Sequence, residues 1–352
     1  MRGLRPLVLL AGAAALLSAS PCSALVWPDP AHERTPVDAM ASPGLKLLRM
    51  AAWTSTVRPW TGVQRVVSLS GGLPRFSVVK VAHTPGLGSD LHVVASGQAG
   101  LVPDVLDARM LGVLAGHYDV VLSGWQACAG RRAQVLEARR PGLTGPRAVA
   151  GRFWLDPSSG MVLRRDVLDA AGAVVRTTAF DDLKVGPLLP VHQPASSVAA
   201  PGKVLDDGAL RALEAQGWPV VHVLPAGLEL FEARMLTEAA TDAGDAGVLQ
   251  LSYSDGLSTL SLFVQDGDLS SKPPGTARPV GGGTVWVSAG NPQRVVWSGE
   301  GRTWTLVSDA PESTVDDALL VLPHTAAPVG DSPVSRVWRG MAVVGSWLNP
   351  FE

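Results

Sequence analysis

The chain has little cysteine, little net charge and none of the common catalytic signatures. Two cysteines in 352 residues cannot make a disulfide-stapled scaffold. Stability must come from buried apolar surface, and a chain that is 46% hydrophobic has enough for two cores. Basic and acidic residues number 29 and 31, a near-neutral balance that gives no sign of nucleic-acid binding, which calls for a clustered basic face. Histidines at 32, 83, 92, 117, 192, 222 and 324 are scattered, with no His-x-x-x-His pair and none at zinc spacing from a carboxylate. Gly256-Leu257-Ser258-Thr259-Leu260 lacks the second glycine of a nucleophile elbow and follows a turn rather than a parallel strand. Gly86-Leu87-Gly88-Ser89-Asp90 breaks off before a dinucleotide fingerprint, and no glycine-rich loop leads to a phosphate-binding lysine. Gly281, Gly282 and Gly283 precede a strand and read as a turn, while Asp266 and Asp268 lack the glutamate that closes a calcium loop. Asp181 and Asp182, or Asp206 and Asp207, are sequence neighbours; on a strand such neighbours point to opposite faces and make no acid/base dyad. These absences point away from an enzyme, a metal site or a cofactor.

The beginning of the chain is the first positive signal. Arg2 and Arg5 precede an apolar run over 7–17, and Cys22-Ser23-Ala24 offers small residues for cleavage. That is the layout of a secretory signal peptide over 1–24, its apolar run too short to span a bilayer. Cleavage after Ala24 removes Cys22, so Cys128 is expected to remain as a lone, buried, hydrophobe-like thiol with no disulfide.

Beyond it, residues 25–36 read as a polar, Pro-rich lead-in, and 37–52 as a helix with Met40, Leu45, Leu48 and Ala52 on one side. Strands follow at 60–69 and 76–83 around Gly71-Gly72, then a helix at 104–115 and strands at 118–122 and 132–138. Residues 153–186 form an antiparallel meander of three strands, with Asp156-Pro157-Ser158-Ser159-Gly160 and Asp169-Ala170-Ala171-Gly172 as the turns. A linker over 187–208 carries Pro187, Pro190, Pro194 and Pro201 and has no periodicity. A second unit, 209–324, opens on a helix at 209–216 and continues in strands at 220–224, 229–237, 285–289, 293–297 and 303–307. Within it, 249–264 is a hairpin turning at Ser254-Asp255-Gly256, where Asp-Gly suits a type I′ turn, and 314–322 is a closing helix. The tail, 325–352, sets Val337, Met341, Val344 and Leu348 at helical spacing beside Trp338 and Trp347; it either docks on the protein itself or meets a membrane surface or partner.

Phe153-Trp154-Leu155-Asp156 and the strands after it, Trp218-Pro219 with Leu224-Pro225-Ala226-Gly227, and Tyr253-Ser254-Asp255-Gly256-Leu257 are three blocks that, in this order, resemble the RseB/MucB family of exported sigma-E factor regulatory proteins. The meander supplies Phe153-Trp154-Leu155-Asp156, then Leu163-Arg164-Arg165-Asp166-Val167-Leu168-Asp169, Gly172 and Ala179-Phe180. The second unit supplies Trp218-Pro219 leading to Leu224-Pro225-Ala226-Gly227-Leu228, where Leu228 replaces the family's aromatic residue. It also supplies Tyr253-Ser254-Asp255-Gly256-Leu257 followed by Leu260-Ser261-Leu262-Phe263-Val264, and a strand-then-helix ending from Trp304 to Leu322. An arginine-rich composition with abundant Ala, Gly and Val suits an actinobacterial-type member.

The resemblance implies an α+β protein. Residues 37–186 are expected to form a half-open antiparallel β-barrel with helices, similar to the LolA/LolB lipoprotein carriers, and 209–324 a smaller α+β domain. It implies no cofactor, and as partner the extracytoplasmic domain of a membrane anti-sigma factor, shielded from proteolysis until a lipid signal releases it. A homo-oligomer is left open. Trp218, Tyr253, Asp255, Gly256 and Leu257 are the expected partner-binding residues, although Asp255 and Gly256 also suit a tight turn by themselves. Trp60, Val63, Phe76, Phe153, Leu163 and Phe180 are the expected lining of an acyl-chain groove. The alternative is a lipid or lipoprotein carrier that uses this groove.

Overall fold

The computed structural model describes residues 22–27, 42–70, 73–86, 88–96, 108–186, 202–236, 247–290 and 292–324. Residues 1–21 of the expected signal peptide over 1–24, most of the expected lead-in and linker, and the whole 325–352 tail lie outside these residues.

Two antiparallel sheets carry the chain. The first contains β1 (Cys22–Trp27), β2 (Trp60–Ser70), β3 (Leu73–Thr84), β4 (Gly88–Ser96), β5 (Asp119–Cys128), β6 (Arg131–Arg139), β7 (Val149–Asp156), β8 (Met161–Leu168) and β9 (Val174–Val185). Their order is β1-β5-β6-β7-β8-β9-β2-β3-β4, an open sheet with β1 and β4 as edges. The meander turns form as their residues dictate. Asp156 accepts hydrogen bonds from the Ser158 amide at 2.9 Å and the Ser159 hydroxyl at 2.7 Å, and Asp169 accepts from the amides of Ala171 and Ala173. The non-local step is β9 pairing with β2, which sets Trp60 opposite Val185 and brings the meander beside the first hairpin.

Helix α1 (Pro43–Val57) begins later than the apolar spacing predicts. Ser42 accepts from the Leu45 amide at 3.1 Å, and Pro43 occupies the first turn, where its missing N–H costs nothing. Pro59 ends the helix by forcing Arg58 into extended backbone (φ −108, ψ 138). With α2 (Ala108–His117), it covers one face of the sheet around Leu45, Leu48, Leu111, Leu114, Leu136 and Phe153, all at most 1% exposed. Cys128, fully buried at the end of β5, is disulfide-bonded, which corrects the expectation of a lone thiol. Antiparallel pairing of β1 with β5 sets the Cα of Cys22 opposite that of Cys128.

The second sheet holds β10 (Lys203–Val204), β11 (Val223–Leu224), β12 (Leu228–Leu236), β13 (Val248–Ser254), β14 (Thr259–Asp266), β15 (Thr276–Val280), β16 (Gly283–Ser288), β17 (Gln293–Gly299) and β18 (Arg302–Ser308). Its order is β10-β12-β13-β14-β18-β17-β16-β15, with β11 on β12. Helices α3 (Asp207–Ala215) and α4 (Glu312–Val321) complete it. Its core stacks Trp297 on Trp304 (centroids 5.8 Å apart) among Tyr253, Leu260, Leu306 and Leu319. Strand β15 carries Pro279, as an edge strand can, and the sequence pattern did not show it.

Candidate functional site

Two features stand out: a cleft in the first sheet and a joint between the two sheets. The cleft lies where α1 leaves the sheet partly uncovered. Ala51, Ala52 and Ser55 form its wall, and Trp60, Val81, Met161, Leu163, Thr178 and Phe180 are among the sheet residues that line it, around a free volume of about 60 Å³. Trp60 is held from three sides. Its Nε1 donates to the Ser55 carbonyl at 2.9 Å, Phe180 meets it edge-on at 5.6 Å, and His83 stacks on it at 5.8 Å. The lining is mostly apolar, apart from Gln64, Arg164, Arg165, Ser55 and Thr178. The hydroxyl of Thr178 is buried and has no hydrogen-bond partner among the described residues.

Of the expected groove residues, Trp60, Leu163 and Phe180 line this cleft. The other three do not, which corrects the expectation. Side chains alternate along a strand, so Val63 and Trp60, three apart on β2, face opposite ways. Phe76 likewise falls on the other face of β3 from buried Val79 and Val81 and is 50% exposed. Phe153 is fully buried under the helices, in the first core rather than in the cleft.

Charged side chains brace the same sheet. Burial opposes the charge on Glu137, but the guanidinium groups of Arg139 and Arg152 outweigh it and hold the carboxyl below its ordinary range. Burial also works against Asp156. Hydrogen bonds from Ser158, Arg131 and Ser159 prevail and bring it down to about 2. Arg164 pairs with Asp166 at 2.8 Å and lies over the Trp154 ring at 4.6 Å.

The joint is built by the loop between β13 and β14. Ser254 pairs with Thr259, so the loop spans four residues, 255–258, rather than the two-residue turn read from Asp-Gly. Asp255 has two tasks. One carboxylate oxygen accepts from the amides of Leu257 (2.9 Å) and Ser258 (2.7 Å), while the other accepts from the Tyr118 hydroxyl of the first sheet at 2.6 Å. Burial, followed by the charge of Asp255, raises the Tyr118 pKa, so this phenol stays a donor. Gly256 sits at φ +87, and a Cβ there would overlap the backbone of Leu114 in α2. Leu257 inserts into the first core, 1% exposed, with its Cδ2 2.6 Å from where a Cβ on Gly151 would lie. The Leu257 carbonyl accepts from Arg165, Asp309 pairs with Arg176, and Glu229 lies 3.2 Å from His117.

The residues expected to bind a partner are therefore committed within the molecule in this conformation. Asp255, Gly256 and Leu257 hold the two sheets together. Tyr253 is fully buried and donates to the Val221 carbonyl at 2.7 Å. Trp218 is half-buried at the edge of the second core, with Arg302 over its ring at 5.4 Å. Sequence reasoning missed Tyr118, Arg165, Arg176 and Asp309. The available signal was an apolar Leu257 immediately after Asp-Gly, since a leucine at the tip of a tight turn is exposed unless another element covers it. No cluster of three or more metal-ligating side chains occurs among the described residues.

Residues 87–201 match the family described as the MucB/RseB N-terminal domain. Among solved structures, the chain is similar to the MucA/MucB complex of Pseudomonas aeruginosa. Identity is 19%, covering 81% of this chain and 100% of that one, with a TM-score of 0.44. It is also similar to a putative outer membrane lipoprotein-sorting protein domain from Vibrio parahaemolyticus, at 11% identity over 44% of this chain and 94% of that one, with a TM-score of 0.22. No curated protein matches.

Proposed function

We propose that the chain, whose residues 87–201 match the MucB/RseB N-terminal domain, is a member of that family and an exported regulator that binds the extracytoplasmic domain of a membrane anti-sigma factor. The observation that carries this reading is the family match over 87–201, which contains the whole β7–β9 meander. The domain arrangement we propose is 37–186 and 209–324, joined by 187–208. Binding would shield the partner's cleavage site from protease. The loop over 255–258 is buried in the joint, so a partner that needed it would first have to open the two sheets. Partner contact in the closed form then falls on other surfaces of the second domain. A lipid displaces the partner only by as much as it prefers the free form to the bound one.

The cleft supports a second reading, a lipid or lipoprotein carrier, because its lining at Trp60, Leu163 and Phe180 is apolar and open. One preparation tests both. The purified chain is expected to capture the extracytoplasmic segment of its cognate anti-sigma factor. No binding at concentrations of tens of micromolar, with both proteins folded, refutes regulation by this route. Acyl chains that co-purify and are found by mass spectrometry, without partner capture, favour carriage.

A further inference from the structure

The outer face of α1 has a composition that the fold does not need. Leu45, Leu48, Ala51 and Ala52 point inward and are at most 6% exposed. The opposite side presents Met50 at 61% exposure, Trp53 at 65% and Val57 at 42%. Positions 50, 53 and 57 lie at i, i+3 and i+7, so these side chains make one stripe rather than scattered exposures. Lys46, Arg49 and Arg58 are exposed alongside it, and the helix contains no acid. This local charge is part of a wider asymmetry. Residues 39–89 contain no Asp or Glu but carry Lys46, Arg49, Arg58, Arg65, Arg75 and Lys80, in a chain of 29 basic and 31 acidic residues.

We propose that this face of α1 docks on an anionic bilayer surface. A helix with an apolar stripe, flanking cations and a tryptophan suits the headgroup boundary. The stripe enters the acyl edge, the indole sits where one side is wet, and Lys or Arg meet phosphate. The helix itself brings no acid to oppose it. The wall of the cleft, Ala51, Ala52 and Ser55, belongs to the same helix, so docking sets the cleft beside the membrane. The inference does not depend on the anti-sigma partner, and vesicle binding is measured without it.

The test is co-flotation of the full purified chain with phosphatidylcholine vesicles, with and without phosphatidylglycerol. Binding is expected only with phosphatidylglycerol and is expected to weaken as salt rises. The triple substitution Lys46→Glu, Arg49→Glu, Arg58→Glu and, separately, Met50→Ser, Trp53→Ser, Val57→Ser are each expected to weaken it by about tenfold or more. Lys46→Gln with Arg58→Gln is a milder variant that changes only exposed groups and is expected to give a smaller loss in the same direction. Circular dichroism confirms that each variant is folded. Equal binding to neutral and anionic vesicles overturns the proposal. So does binding that both triple variants retain, which would place the contact elsewhere on the chain. Absence of vesicle binding together with α1-dependent capture of an acidic protein segment also overturns it, in favour of a protein occupant.

Discussion

Leu257→Ala is the sharpest perturbation of the joint. Leu257 is covalently part of the second sheet but packs in the first core, in the same cluster as Leu114, Ala150 and Phe153. Truncation removes buried methyl groups where the surroundings are helix and sheet backbone, so collapse around the gap is limited. Leucine-to-alanine changes at such sites cost roughly 2–5 kcal/mol. With the residue 1% exposed, a cost near 3 kcal/mol follows. For a unit of this size that corresponds to a fall in melting temperature of roughly 6–12 °C. The distinguishing outcome is which transition moves. Differential scanning calorimetry of the wild type is expected to show the two sheets melting together. In the variant the first sheet is expected to melt early while the second keeps its temperature, because Leu257 contributes nothing to the cluster of Leu260, Trp297 and Trp304. Leu260→Ala serves as the converse control, lowering the second transition. A Leu257→Ala protein that still melts in one transition, shifted by less than about 2 °C, refutes the plug argument.

Gly256→Ala is expected to open the same joint without removing an apolar contact, because φ is +87 and the added methyl meets the Leu114 backbone. Limited proteolysis between the sheets should accelerate, and unchanged cleavage would count against the close approach. The pH dependence of stability should carry the mark of Asp156. Its folded pKa lies below its unfolded value, so its stabilisation is complete above pH ~4 and is lost as pH falls toward about 2. In urea titrations Asp156→Asn should flatten stability over that window and lower it at neutral pH; an acid limb identical to wild type would refute the assignment.

Much of the fold was legible because it is local. The turns at 156–160 and 169–172 are written in Asp, Ser, Pro and Gly, and β7, β8 and β9 form around them. The helix boundary at Ser42-Pro43 was also available from capping chemistry, although apolar spacing alone placed the start too early. The groove was half legible. An aromatic or aliphatic residue in a strand identifies a candidate, but strand parity decides which face it takes, and that separated Trp60 from Val63.

The sequence by itself determined the turns of the meander, the near-neutral charge and the acid-free stretch over 39–89, since each depends on neighbours in the chain. Only the tertiary structure decided that Asp255, Gly256 and Leu257 look inward. Their partners, Tyr118, Leu114 and Gly151, lie more than a hundred residues away, and no local periodicity records a contact of that separation. The disulfide of Cys128 is likewise beyond the reach of its neighbours in the chain, since no local pattern records which strand lies beside it. A turn motif specifies how the backbone bends. What the bend touches is fixed by packing, through the cost of leaving a leucine and a carboxylate without partners.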